Sequence, residues 1–299
     1  MSEVYDPAPA ASILANALRT GVQRAELPAE IRPQTLSQGY DVQDRLLALL
    51  GEPVAGWKLG GRQPEGEAGS LPRPRAIAGR VLASRPHRSC DTVRLPNKAP
   101  TTVEFEMAFV LGQDVEPDSA PEAPMAAVSA THVAFELVLS RFIDRRAVGW
   151  PSFAADNAAF QALVLGVNPA RIGEIAGTVV VGVDGKEMAT ELVGDDAIDP
   201  VTALGELFAH ARDRGMTLPA GTLVSTGTLS RPFTVTGKGT DIVARFLGSE
   251  LRVRTAVPGS PVLASPSSTG KAPHVEGNLR GAGPAAGEGG RWTGTCKPA

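Results

Sequence analysis

The stretch Thr101 to Leu111, TTVEFEMAFVL, alternates with a period of two along its whole length. In a β-strand successive side chains point to opposite faces. Val103, Phe105, Met107, Phe109 and Leu111 therefore share one face, and Glu104, Glu106, Ala108 and Val110 the other. A face washed by solvent would stay polar to its end, whereas this one turns apolar at Ala108. The strand is thus expected to be covered on both sides, with its two glutamates opening onto an enclosed space. Adjacent like charges repel there, and a desolvated carboxylate is costly.

A second run, THVAFELVLSRF, has the same design. Val133, Phe135, Leu137 and Leu139 form one face; His132, Ala134, Glu136, Val138 and Ser140 form the other. Glu136 is a third acid among small apolar neighbours. Three carboxylates converging in one pocket are tolerated if some stay protonated or if a divalent cation neutralises them. Ligation by oxygen alone selects magnesium or manganese, and the cation is the favoured reading. The alternative, in which each glutamate decorates a solvent-facing strand edge, fits a lone E-x-E equally well. The repetition of the inversion on a second strand weighs against it.

Around these runs the chain divides by texture. Residues 1–52 read as a helical lead-in: ASILANALRTG and SQGYDVQDRLLALLG carry apolar residues at helical spacing, the second stopping at Gly51. Residues 53–255 read as a β-rich catalytic domain of short runs punctuated by Gly and Pro. VDGK within it carries the Asp-Gly pair of a hairpin. One helix interrupts the β region, DPVTALGELFAHARDRG, with Asp199 as N-cap, Pro200 at the first helical position and Gly215 as the stop. Residues 256–299 lose periodicity and are about one-third Pro plus Gly, the composition of a disordered low-complexity tail. The fold class is α+β.

The 29 basic and 32 acidic residues are scattered singly, for a net charge of −3, so no basic stripe points to nucleic acid. No window approaches a membrane span, and the N-terminus has no signal-peptide pattern, so a cytoplasmic location is expected. Cys90 and Cys296 are too few for a disulfide framework, and Cys90 is expected as a buried or half-buried thiol. Lys58, in AGWKLGG, reads either as a snorkelling edge-strand lysine or as an acid/base or carboxylate anchor. Thr226, Thr228 and Ser230 alternate in a Gly-containing turn suited to a carboxylate. Asp156 and Asn157 read by default as an N-cap or turn. The histidines form no metal motif, and no GxSxG, Walker or Rossmann fingerprint occurs.

The motifs GWKLG, VEFEMAFVLG, AFELVLSRFID…FAADNAAFQALVLG and LPAGTLVSTGTLSRPFTV, in this order, resemble the 2-keto-4-pentenoate hydratase / 4-oxalocrotonate decarboxylase family of the fumarylacetoacetate hydrolase-like superfamily. The resemblance runs from the lead-in to about Arg254. It implies a mixed β-roll domain of the fumarylacetoacetate hydrolase C-terminal type, following the helical lead-in. It further implies a Mg2+ or Mn2+ ion on Glu104, Glu106 and Glu136, with Lys58 as catalytic residue and Gly227, Thr228 and Ser230 as substrate-binding residues. Homo-oligomers, and short 2-keto or 2-hydroxydienoic acids from aromatic compound catabolism, are implied as partners. Two family acids are missing: Ala78 stands near the place of an Asp, and Val138-Leu139-Ser140-Arg141 replaces V-D-S-R.

The activity expected is that of a lyase, in the first instance a metal-dependent hydratase of a 2-hydroxydienoate or 2-keto-4-enoate. Decarboxylation of a 4-oxalocrotonate-type acid is the nearest alternative. A non-catalytic subunit that binds a partner decarboxylase or hydratase is the alternative from another class.

Overall fold

A computed structural model describes residues 4–62, 76–166, 179–192, 199–236 and 239–258. Helices α1 (Ala8–Thr20) and α2 (Leu36–Leu50) precede strands β1 (Val54–Arg62), β2 (Ala76–Leu82), β3 (Pro86–Arg88), β4 (Thr92–Arg94), β5 (Thr101–Leu111) and β6 (Val128–Val138). Helix α3 (Gly149–Ala155), β7 (Phe160–Leu165), β8 (Val180–Val183), β9 (Lys186–Thr190) and α4 (Pro200–Asp213) follow. The last strands are β10 (Leu223–Thr228), β11 (Phe233–Val235), β12 (Thr240–Phe246) and β13 (Ser249–Ala256). From residue 259 onward the tail expected to be disordered, with Trp292 and Cys296, lies outside the described residues.

The helix ends follow from local chemistry. Gly21 and Gly51 adopt positive φ after α1 and α2 and return their N–H groups to Ala17 O and Leu47 O. Asp199 caps α4 by accepting from Thr202 N at 2.9 Å. Asp184 and Gly185, both at positive φ, make the β8–β9 hairpin that VDGK announces.

The strands form two mixed sheets, the α+β architecture expected. The larger has the order β2-β1-β10-β5-β6-β7-β3, with β11 also on β5; the smaller has the order β4-β13-β12-β8-β9. Pairing is antiparallel except for β1 with β10, β3 with β7, and β4 with β13. The Phe105 face of β5 builds the core between the sheets: Phe105 meets Phe135 edge to face and Phe246 at a tilt, the latter with centroids 5.5 Å apart. Leu204, Leu207 and Phe208 of α4 and Tyr40 of α2 join the same core. The opposite face of the large sheet carries a separate apolar cluster of Val81, Ala108, Ala134, Phe160, Leu163 and Leu223.

Several expectations need correction. The β-type stretch DIVARFLGSELRVR, within the region of short runs, folds as a hairpin of β12 and β13, turned by Leu247 and Gly248 at positive φ. A second helix, α3, lies within the β region; a methyl on Gly39 of α2 would sit 2.4 Å from Pro151 O, so the glycine lets the two helices touch. Cys90 is exposed, at a positive-φ turn position, and is not a free thiol. The β6 strand ends at Val138, because the next residues leave the sheet for Asp156.

Asp156 is no simple cap. Its fully buried carboxylate pairs with the Arg141 guanidinium and accepts from Ser140 Oγ at 2.7 Å and from Arg141 N at 3.1 Å. Burial raises its pKa, against the opposing pull of Arg141 and Ser140. Arg141 also donates to the carbonyls of Leu139 at 3.0 Å and Phe160 at 2.9 Å, tying the end of β6 to the start of β7. Removing one partner strands a buried charge, which costs about 3–5 kcal/mol. The Arg141→Met variant is therefore expected to lose that much unfolding free energy in urea titrations, and the Arg141→Met/Asp156→Leu double variant to recover most of it.

Candidate metal centre

Register brings the three glutamates together. Glu104 of β5 lies directly opposite Glu136 of β6, and Glu106 opposite Ala134, so all three project from the face away from Phe105. One oxygen of each lies within 4.8 Å of the others. Glu106 and Glu136 are fully buried and Glu104 half-buried. The solvent-facing alternative therefore does not describe Glu106 or Glu136.

Lys58 enters from β1, two strands away from β5 and separated from it by β10. Only 2% exposed, it is no snorkelling edge residue: its Nζ lies 2.9 Å from Glu136 Oε1, an ion pair by distance rather than a well-aligned hydrogen bond. Gly60 makes room for it, since a methyl there would come within 2.8 Å of Nζ. On β2, Ile77, Gly79 and Val81 pair with Gly60, Lys58 and Gly56 and share the face of Lys58. Ala78 packs instead in the core with Tyr40, to whose hydroxyl its N–H donates at 3.1 Å, on the face away from Lys58. No ionisable side chain of β2 joins Lys58.

The turn after β10 behaves differently from its alternation. Gly227 at positive φ makes a bulge between Ser225 and Thr228, which shifts the register against β5. As a result Ser225 and Thr228, opposite Ala108 and Glu106, take the glutamate face, while Thr226 turns away and donates to Met107 O at 3.0 Å. The Thr228 hydroxyl donates to Ser230 O at 2.6 Å and accepts from Ser230 N at 3.3 Å. Ser230 Oγ is fully buried with no hydrogen-bond partner. Sequence reasoning missed Ser225, whose hydroxyl donates to Glu106 Oε2. Its signal lies in the register of β10 against β5, which sets Ser225 opposite Ala108 and which strict alternation of Thr226, Thr228 and Ser230 does not give.

Burial pushes Glu106 far above the ordinary carboxylate range, reinforced by Glu136 and Glu104; Ser225 and Lys58 oppose this without cancelling it. Burial likewise pushes Glu136 up to about 7, with Lys58 pulling down and Glu104 adding to the rise. Such a set is a poor home for three bare anions. Glu106 Oε1 and Glu136 Oε2 are buried without partners, and an all-oxygen donor set of this kind suits a hard divalent cation. The residues present fit the ion.

Fold and site together define a mixed-sheet domain that gathers three carboxylates able to hold a divalent ion at a face bordered by apolar side chains. Residues 65–266 match the fumarylacetoacetate (FAA) hydrolase C-terminal family, and the chain belongs to it. A 4-oxalocrotonate decarboxylase from a Pseudomonas species is 32% identical over 128 residues, 42% of this chain and 49% of that protein. The match thus spans about half the length of that curated relative. The 4-oxalocrotonate decarboxylase of Pseudomonas putida G7, solved with magnesium and adipate, superposes with a TM-score of 0.68 at 20% identity, over 83% of this chain and 97% of that one. Its complex with calcium and acetate gives 0.67 at 19% identity, over 83% and 96%. At such identities the likeness establishes the fold.

A carboxyl whose pKa is raised on folding binds protons that the unfolded chain has released, so stability declines as pH climbs between the two values. For Glu136 that window runs from 4.5 to about 7. The metal-free protein is expected to show a falling Tm across it in differential scanning calorimetry. Glu136→Gln, which cannot ionise, should flatten the slope; a Tm that rises through the window in the wild type would contradict the burial described.

Proposed function

We propose that the chain is a divalent-cation-dependent lyase that removes carbon dioxide from a short, unsaturated 2-oxo diacid of the 4-oxalocrotonate type. The observation that carries this reading is the convergence of Glu104, Glu106 and Glu136, two of their oxygens unpartnered, beside a buried lysine and an apolar wall. The partial relationship to a 4-oxalocrotonate decarboxylase supports it. Hydration, the first expectation from sequence, needs a group to activate water. Ile77, Gly79, Val81, Ala108, Ala134 and Leu223, which share the face of Lys58, carry no such group, and His132, opposite Ala108 on that face, has its Nδ1 engaged with Gly166 O at 3.1 Å.

Glu104, Glu106 and Glu136 would hold the cation, which when bound supplies Lewis-acid polarisation of the substrate's 2-oxo group. Lys58 Nζ, anchored by Glu136, binds and orients a substrate carboxylate. The apolar wall excludes water from the carboxylate that is lost, which favours the uncharged product. The carbon–carbon bond to that carboxylate breaks, and its electron pair moves through the double bond towards the 2-oxo group. Carbon dioxide leaves, and a proton from Lys58 Nζ, replaced from solvent, completes the product. Ser230 Oγ and the backbone around Gly227 fix the acid end of the substrate.

The test is incubation with 4-oxalocrotonate and Mg2+ or Mn2+, with the product followed by NMR. Loss of carbon dioxide is expected; a new C4 hydroxyl would instead establish the hydratase. A protein that binds neither ion would be the non-catalytic subunit. Glu106→Gln should lower turnover by roughly 10²–10³-fold, the size of effect seen when one preorganised electrostatic contact is lost, with an unchanged far-ultraviolet circular dichroism spectrum. Undiminished turnover without metal would falsify the scheme.

A further inference from the structure

Glu106 and Glu136 each give one oxygen to the protein and leave the other bare. Ser225 Oγ donates to Glu106 Oε2, and Lys58 Nζ lies 2.9 Å from Glu136 Oε1. The remaining pair, Glu106 Oε1 and Glu136 Oε2, has no partner in side chains that are 0% exposed. A carboxylate restrained in this way presents a single oxygen to an ion. Near-octahedral Mg2+ accepts single oxygens at short distances, whereas Ca2+ takes six to eight and readily engages both oxygens of a carboxylate.

Ser225 is placed for this task by two features already described. It stands on the glutamate face because β10 is in regular register there, with Ser225 opposite Ala108 and Lys58 ahead of the Gly227 bulge, and it is itself fully buried. Its cross-strand neighbours on that face are Lys58, which turns to Glu136, and Ala108, whose side chain has no polar atom. Among the described residues, the Ser225 hydroxyl is the side-chain donor to Glu106 Oε2.

We propose that Ser225 sets the ion selectivity of this centre: by holding Glu106 Oε2 it keeps Glu106 a single-oxygen ligand and biases the site against calcium. Ser225 is thus a positioning residue, acting through Glu106. Deleting its hydroxyl frees Oε2 to turn towards the ion, which a large, flexible coordination sphere exploits and a small octahedral one does not. The inference rests on the carboxylates holding a divalent cation, as proposed above.

The experiment is isothermal titration calorimetry of the metal-stripped full chain with MgCl2, MnCl2 and CaCl2, comparing wild type with Ser225→Ala, Ser225→Gly and Ser225→Thr. Wild type is expected to prefer Mg2+ and Mn2+. In Ser225→Ala the ratio of Kd for Ca2+ to Kd for Mg2+ should fall by roughly tenfold, equivalent to about 1.4 kcal/mol. Ser225→Gly, which also lacks the hydroxyl, should follow it, and Ser225→Thr, which keeps it, should retain the wild-type ratio. An unchanged ratio in the Ala and Gly variants, or an equal fall in the Thr variant, overturns the role of Ser225 while leaving the metal centre intact. A wild type that binds none of the three ions overturns the metal reading and this inference together.

Discussion

Mutual repulsion among buried carboxylates is the constraint around which the rest is arranged. Glu106 and Glu136 have left water almost completely, and Glu104 stands beside them. Their attraction for a compensating charge exceeds what a single ammonium supplies, since Lys58 is one cation against three acids. With Lys58 and a dication the formal charges of the cluster cancel. Without the dication, the acids respond by keeping protons, which is the direction both buried glutamates take.

The two faces of β5 show how one strand serves stability and chemistry together. Phe105, Met107 and Phe109 fill the core between the sheets, and this packing fixes the register. Register in turn decides which residues meet on the other side, because a slip by one position would exchange the faces. Glu104 meets Glu136 because Phe105 meets Phe135. The glycines near the site act similarly: Gly60 leaves space for an ammonium, and Gly227 turns Ser225 and Thr228 to the same side.

Much of this was legible in the sequence. The alternation of VEFEMAFV, its echo in VAFELV, and the caps of α4 are local patterns with local causes, and they led to the right face of the right strands. What escaped reading depends on partners distant in the chain. Ser225 lies 119 residues from Glu106, and no pattern within STGTLS announces the bulge that puts Thr228 rather than Thr226 on its side. Asp156 looked like a turn residue because its companion Arg141 sits on another element and their pairing needs the fold. Helix α3 is short and depends on its packing against α2. The hairpin of β12 and β13 was hidden by a leucine at a position where glycine or asparagine is the usual signal.

The order of the strands carries a consequence for biosynthesis. In the larger sheet β10 is inserted between β1 and β5, although it follows both by more than a hundred positions. A ribosome-tethered chain that has reached only α4 already contains all three acids and the lysine, yet lacks the strand that seats Lys58 beside them. Pairings of such sequence separation form late, since loop closure must precede them. The contact between Lys58 and Glu136 therefore forms only after β10 has been made, whereas the β5–β6 pairing that gathers the three acids does not wait for it.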